Sequence, residues 1–330
     1  SFSAAQFTAD ASFQGANFTD WVGFSAAHFA GAAEFSGARF ADAASFATVT
    51  FTGEVDFSDT VFSAAADFAV STFNSDANFS RLNTAGIASF AAVTFDGKAV
   101  FTASTFHDEA HFAASVFNRP AVFSKSLFGG VARFAGIATK QSAMFRNVRF
   151  ASAADFSGAS FTQYEDFGGA RFDGDATFSR ASFIALPRTR YEMDFPQHAN
   201  FSNAAFAQDA DFSEATFTAH VSFNGANFEG AYFADATFGQ AADFRQTSFM
   251  YVKPSFEALE RRLQRARFSA QADPQDYLFE TRPESPHGFR CGTAELLNRT
   301  FVLPIGAVLY DPDSWDEEQQ EYTRVSEPAK

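Results

Sequence analysis

One apolar residue type sets the rhythm of this chain. Phe stands at positions 2, 7, 13, 18, 24, 29, 35, 40, 46 and 51, in steps that alternate five and six. The alternation continues without error to Phe79, resumes from Phe90 to Phe134 and from Phe145 to Phe183, and runs with one slip from Phe195 to Phe249. Two residues before each Phe stands a small one, as at Ala5, Ala11, Ala16, Ala27, Ala33, Ala38 and Ala44, or now and then Val55, Thr60 or Ser71. Residues two apart on an extended segment share a face, so the small residue and the Phe point inward and the residue between them meets water. Ser, Thr, Gly, Asp and Asn fill the remaining positions and bend the chain before the next unit.

Such a fixed period is the mark of a stacked repeat. Sides stack well only when the same side length recurs directly above. An even number of sides of alternating length, five then six, sets long sides on long sides, and four such sides make a coil of 22. A three-sided coil sets long over short and is rejected. Through Phe249 this predicts about 11 coils, a rod on the order of 50 Å long at ~4.8 Å per strand spacing. The inward Phe residues, represented by Phe35, Phe57, Phe112, Phe156 and Phe212, form its core ladder.

The unit of small residue, polar residue and Phe, repeated through residues 1–249, resembles the pentapeptide-repeat family, whose consensus is a small residue, a polar one, then a central Leu or Phe. The resemblance implies an all-β solenoid, a right-handed quadrilateral parallel β-helix with one pentapeptide per side. The sixth residue in every second unit departs from the consensus and gives the longer coil.

Three interruptions mark the ladder. At the first two the missing rungs are Thr84 and Thr139, and the residues two before them are Leu82 and Ile137 rather than Ala. Bulk and smallness exchange places, which predicts local repacking at roughly constant volume. The third break, from Phe183 to Phe195, holds IALPRTRYEMD in a step of 12 instead of 11. Pro187, Arg188, Arg190 and Tyr191 make it either a bulged loop and candidate contact or a tolerated one-residue insertion. A compensating deletion is read at Phe228, Phe233 and Phe238, spaced five and five.

After Phe249 the periodicity stops. The sequence SFEALERRLQRARF predicts an amphipathic helix over 255–268, capped by Ser255, with Phe256, Leu259 and Leu263 on its apolar stripe. Its role is to cover the open end of the solenoid. Residues 250–315 are thus a small helical capping or dimerisation region, in which TFVLPIGAVLY (300–310) supplies one or two strands, and 316–330 reads as a mobile acidic tail.

The formal net charge is −15 and is unevenly spread. Residues 1–80 hold nine acids and one base, residues 81–149 three acids and eight bases, and residues 191–249 return to a net −7. The single cysteine, Cys291, excludes an internal disulfide. No run is long and apolar enough for a membrane helix, no leader is read, and a start inside the repeat without Met suggests a processed or trimmed form. His107, Asp108, Glu109 and His111 have metal-ligand chemistry, but the His residues flank a turn and solvated turn residues are the expectation. Acid pairs such as Glu165 and Asp166 are read on turns, alternating in direction. No phosphate loop, nucleophile elbow or zincin motif appears. The expectation is therefore a cytoplasmic, non-enzymatic binding rod with no catalytic, cofactor or metal residues, and without nucleic-acid or membrane partners. The resemblance adds a finer one, a DNA mimic that binds DNA gyrase or a related topoisomerase and protects or inhibits it. The alternative is a scaffold module of a larger assembly. A homodimer through the C-terminal region is compatible with either.

Overall fold

The computed structural model describes residues 1–184, 198–257 and 265–330. Its architecture follows from strand pairing. Gln6–Phe7 pairs in parallel with His28–Phe29, that strand with Thr50–Phe51, and Ser160 with Ser182, always at the same offset. That offset is 22 residues, the distance in sequence between Asp10 and the Ala32 amide it accepts. Every fourth strand stacks, so the coil has four walls. Wall 1 is a 13-stranded sheet from Gln6–Phe7 to Val308–Tyr310, and wall 2 a 12-stranded sheet from Ala11–Ser12 to Tyr277–Leu278. Walls 3 and 4 count as one 19-stranded sheet, because Ala205–Asp211 and Asn227–Tyr232 run as strand through the corner between them.

The alternation of five and six is an alternation of corner types. Five-residue steps turn at the corners between walls 2 and 3 and between walls 4 and 1, through a tight turn closed by a bond such as Ala5 N to Phe2 O (3.0 Å). The third residue of that turn has positive φ, at Ala4, Gly15, Ala26, Gly37, Thr48 and Asp59, which is type II geometry. Six-residue steps turn more widely. At Gly97, in one of these wide corners, an added Cβ would collide with the Ser75 backbone of the coil before.

Inside, each Phe stacks on its counterpart one coil away, from Phe7 on Phe29 at 4.4 Å to Phe244 on Phe279 at 5.5 Å. It also meets the rung across a six-residue corner edge-on, as Phe18 meets Phe24 at 88°. Both arrangements are favoured by the ring quadrupole. Phe35, Phe57, Phe112, Phe156 and Phe212 are fully buried within this ladder. At the two exchanged rungs Leu82, Thr84, Ile137 and Thr139 all point inward and are buried. Thr84 sits between Phe62 and Phe106 and Thr139 between Phe117 and Phe161. Their Oγ1 atoms have no hydrogen-bond partner among the described residues.

The break after Phe183 is larger than one residue. Glu165 pairs with Ala199 and Arg171 with Ala205. Asn200 reaches Asp166 across 34 residues instead of one coil's length, so the offset here is twelve residues longer than one coil. The next rung of that wall is Phe201, stacked on Phe167 at 4.9 Å. The later deletion is real: Thr216 pairs with Thr237, one short of the usual offset.

Both ends of the predicted helix over 255–268 are bridge or strand positions, and 258–264 lie outside the described residues. Ser255 bridges Tyr232, Glu257 bridges Arg265, and Arg267–Ser269 is a strand of wall 1. The helical stripe loses to the open end of the sheet, whose unpaired backbone groups take Ser255 and Arg267 as the next strand positions (Ser255 N to Ala231 O 3.0 Å, Arg267 N to Ala236 O 2.8 Å). Phe256 is a rung, stacked on Phe233 at 5.1 Å, while Leu259 and Leu263 lie outside the described residues. Phe268, Phe279 and Phe289 meet Phe238, Phe244 and Phe249 and complete the last coil. The cap is an antiparallel hairpin, Cys291–Leu296 with Arg299–Pro304, turning through Leu297 and Asn298 at positive φ. Phe301 and Leu303 face the core and Val302 faces out. The predicted mobile tail is also corrected, since its backbone has partners. Trp315–Asp316 pairs with Glu321–Tyr322, Ala329 N donates to Ala307 O, Thr293 N donates to Lys330 O, and Ala329 is buried.

Candidate interaction surface

The constant register turns sequence spacing into surface rows. On wall 2 the outward residues are Ser12, Glu34, Asp56 and Asn78, then Val100, Val122 and Met144, then Asp166, Asn200 and Ser222. The apolar three lie half-buried between two corners that carry exposed cations. Lys98, Arg119 and Lys140 line the corner with wall 1, and Arg81, Lys125 and Arg146 the corner with wall 3. Two of the six hold acids of neighbouring coils, Arg81 with Asp59 (2.6 Å) and Arg146 with Asp166 (3.0 Å). The basic band of residues 81–149 is therefore, on this wall, an apolar strip between two cationic edges.

Many of the acids have a local duty. An Asp just before Phe on wall 2 or 4 accepts the amide two residues on, as Asp56 does from Ser58, Asp67 from Ala69, Asp155 from Ser157 and Asp211 from Ser213. This is the Asx-type bond that favours Asp at turns. At the wide corner Asp10 and Asp76 accept the amides of Ala32 and Lys98 in the coil above. With Asp42, five of the nine acids before residue 81 thus accept a backbone N–H. Glu34 and Glu54 do not, and both project from walls or corners near wall 2.

The coil that holds Glu165 and Asp166, just before the longer offset, is chemically unlike the others. Glu165 and Asp166 lie on a strand and not on a turn, and both are buried. Glu165 occupies the inward position where the coils on either side place Ala143 and Ala199, and its Oε1 has no hydrogen-bond partner among the described residues. Burial alone pushes its carboxyl well above the ordinary value of 4.5. The signal was present in the sequence, because Glu165 stands two residues before Phe167, the inward slot. Asp166 points outward but is covered, accepting from Gly168 N (2.8 Å), Asn200 Nδ2 (2.8 Å) and Arg146 Nη1 (3.0 Å). The candidate contact residues Pro187, Arg188, Arg190 and Tyr191 fall outside the described residues.

The His107 to His111 cluster resolves into an ion-pair relay. Glu109 Oε2 lies 2.8 Å from His111 Nε2 and 3.1 Å from Arg133 Nη2, and these bonds hold its carboxyl below the usual range. A second relay joins Arg149 and Arg171 through Asp173 on wall 3. Cys291 opens the cap hairpin on an exposed edge. No helix among the described residues is long and apolar enough to cross a membrane.

Residues 201–248 match a protein-family model described as pentapeptide repeats (9 copies). No curated protein and no solved structure matches the chain.

Proposed function

We propose that this chain, whose residues 201–248 match a pentapeptide-repeat model, works as a non-enzymatic, protein-binding rod. The observation that carries the reading is the conversion of a constant register into flat walls with segregated chemistry, acidic over the first coils and basic with an apolar strip over the middle ones. A buried ladder of stacked Phe rings runs behind those walls, so partners meet a preformed surface and little ordering cost is added on docking.

The finer reading is that the acidic coils imitate duplex DNA for a type II topoisomerase. A supercoiling assay with DNA gyrase, with and without a quinolone, tests it. Glu34 and Glu54 hold no backbone amide, so the E34K/E54K variant alters charge without loosening a turn. Inhibition or protection at about micromolar protein that weakens in this variant supports mimicry, and wild-type protein without effect at tens of micromolar rejects it for the enzyme assayed.

The strip Val100–Val122–Met144 favours a second reading, a scaffold module that docks an acidic partner on wall 2. Electrostatic docking of that kind is salt-dependent. A K98E/R119E/K140E variant that keeps its far-UV spectrum and loses a salt-sensitive complex supports this reading over the first. Val302 and Ile305, exposed on the cap, are the residues through which two rods would join end to end.

A further inference from the structure

The chain after residue 310 does more than close the rod. Asp311 and the 3-10 turn Pro312–Ser314 lead into the small hairpin of Trp315–Asp316 and Glu321–Tyr322, which stands beside wall 1. Between them lies an open groove of about 570 Å³, within the range of small-ligand sites. Its floor is made by the outward residues of two stacked strands, Thr216 and Thr237, paired across the register. Gln240 and Asp276 also line it, as do the neighbouring rings of Tyr310 and Tyr322.

The lining narrows the ligand by elimination. Among the described residues its lining contains no Lys, Arg or His, and Arg267, which bonds the Thr237 hydroxyl of the floor, is already paired with Asp235 (2.8 Å). Among the described residues the lining has one carboxylate, too few for a hard cation that takes six or more oxygens. Hydroxyls and amides dominate it, so a lipid chain would strand polar groups against carbon. What remains is a neutral ligand dense in hydroxyls that also has an apolar face.

Three features match that description. Gln240 and Asp276 make no side-chain hydrogen bond or ion pair within the described residues, and each offers a planar group that can engage two neighbouring hydroxyls. The Thr216–Thr237 row adds hydroxyls fixed by the strand backbone, with Thr237 Oγ1 already accepting from Arg267 Nε (3.3 Å) and so left as a donor. Tyr322 is held at a fixed tilt between Tyr310 (4.4 Å) and Trp315 (4.9 Å), and supplies a rigid aromatic edge to the groove. We infer that this groove binds a short neutral oligosaccharide, with one sugar ring packed on Tyr322 and its hydroxyls held by Gln240, Asp276 and the threonine row. The site is separate from the walls assigned to protein contact.

Trp315 touches Tyr322 and reports on the groove, so the test uses a Trp21→Phe background in which Trp315 is the remaining indole. Maltotriose, cellotriose, laminaritriose and chitotriose are titrated against the full chain, following Trp315 emission and calorimetric heat. The expected result is saturable binding of at least one of them below about 10 mM, weakened about tenfold or more by Gln240→Ala and by Asp276→Asn. Tyr322→Ala is expected to abolish it. Because that variant can disturb the small hairpin, the Gln240 and Asp276 variants carry the decision. The inference is overturned if none of the four saturates, or if binding is unchanged in a Q240A/D276N double variant. The K98E/R119E/K140E variant should bind sugar like the parent, which separates this site from the protein-docking reading.

Discussion

Thr84 shows how far a ladder residue can depart from Phe and what the departure costs. The hydroxyl is buried between two Phe rings with no partner among the described residues, and Thr139 repeats the situation further along the rod. Thr84→Val and Thr139→Val keep the shape and remove the stranded oxygen, so each should raise stability by about 1 kcal/mol, read as a higher urea midpoint at unchanged slope. Val70 is strained differently, a β-branched residue at φ 60° in a tight corner where glycine fits without penalty. Val70→Gly should stabilise by about 0.5 kcal/mol, since the relief of strain outweighs the added freedom of the unfolded chain. Glu165 adds a pH dependence. Its folded pKa lies above 4.5, so the folded chain retains a proton that the unfolded chain has released. The contribution of Glu165 to stability is therefore greatest below pH 4.5 and falls as pH rises toward the folded value. Glu165→Gln should abolish that part of the slope and be the more stable protein at pH 8, as thermal melts at pH 4.5 and pH 8 would show. At this scale the exchange of Leu82 with Thr84 was legible, because volume moves along the chain in plain sight. Glu165 was legible in principle, yet its charge suggested a solvated turn and masked its inward phase.

At the scale of elements the solenoid strands were readable and the C-terminal ones were not. A strand of two residues has almost no propensity of its own, but its Phe, its small partner and its turn recur so often that position alone identifies it. Beyond Phe249 the same rungs are separated by unequal loops, Phe256, Phe268, Phe279 and Phe289, and the period vanishes although the packing continues. Local helix propensity then looks persuasive at Phe256, where the sheet edge in fact decides. Phe256→Ala should accordingly cost roughly 3–5 kcal/mol in the last coils, far more than the loss of a surface helix residue. The tail failed for a related reason, since acidic composition conceals backbone pairing. Removing residues 321–330 takes away Tyr322, Val325, Ala329 and Lys330, all of which bond or pack on the cap. Amide exchange should then quicken in residues 291–310 and stay unchanged in the first six coils, because a solenoid passes stability only between neighbours.

Across the whole molecule, register is the organising quantity. The charge bands seen along the sequence become surface rows only once the length of one coil is known, which the alternation of five and six already implied. The twelve extra residues between Asp166 and Asn200 were harder to count. Phe195 falls near the expected beat and makes an offset twelve residues too long look like a slip of one, which pairings such as Glu165 with Ala199 expose. The coil also repeats within itself. Walls 1 and 2 are followed by walls 3 and 4 with the same pair of corners, so the core repeats every half coil while the surface repeats every whole one. Excising residues 94–104 should therefore leave a folded protein whose melting point moves by only a few degrees, whereas excising a single short side sets a tight corner over a wide one and should unfold the neighbouring coils. The shortened rod would differ from its parent in one respect. Everything beyond the excision would be rotated by half a turn, so that Lys125 and Arg146 leave their edge of wall 2 for the opposite corner. The interior works as an index wheel with two equivalent stops, and a lineage that gains or loses half a coil can re-aim its entire downstream surface without redesigning a single buried side chain.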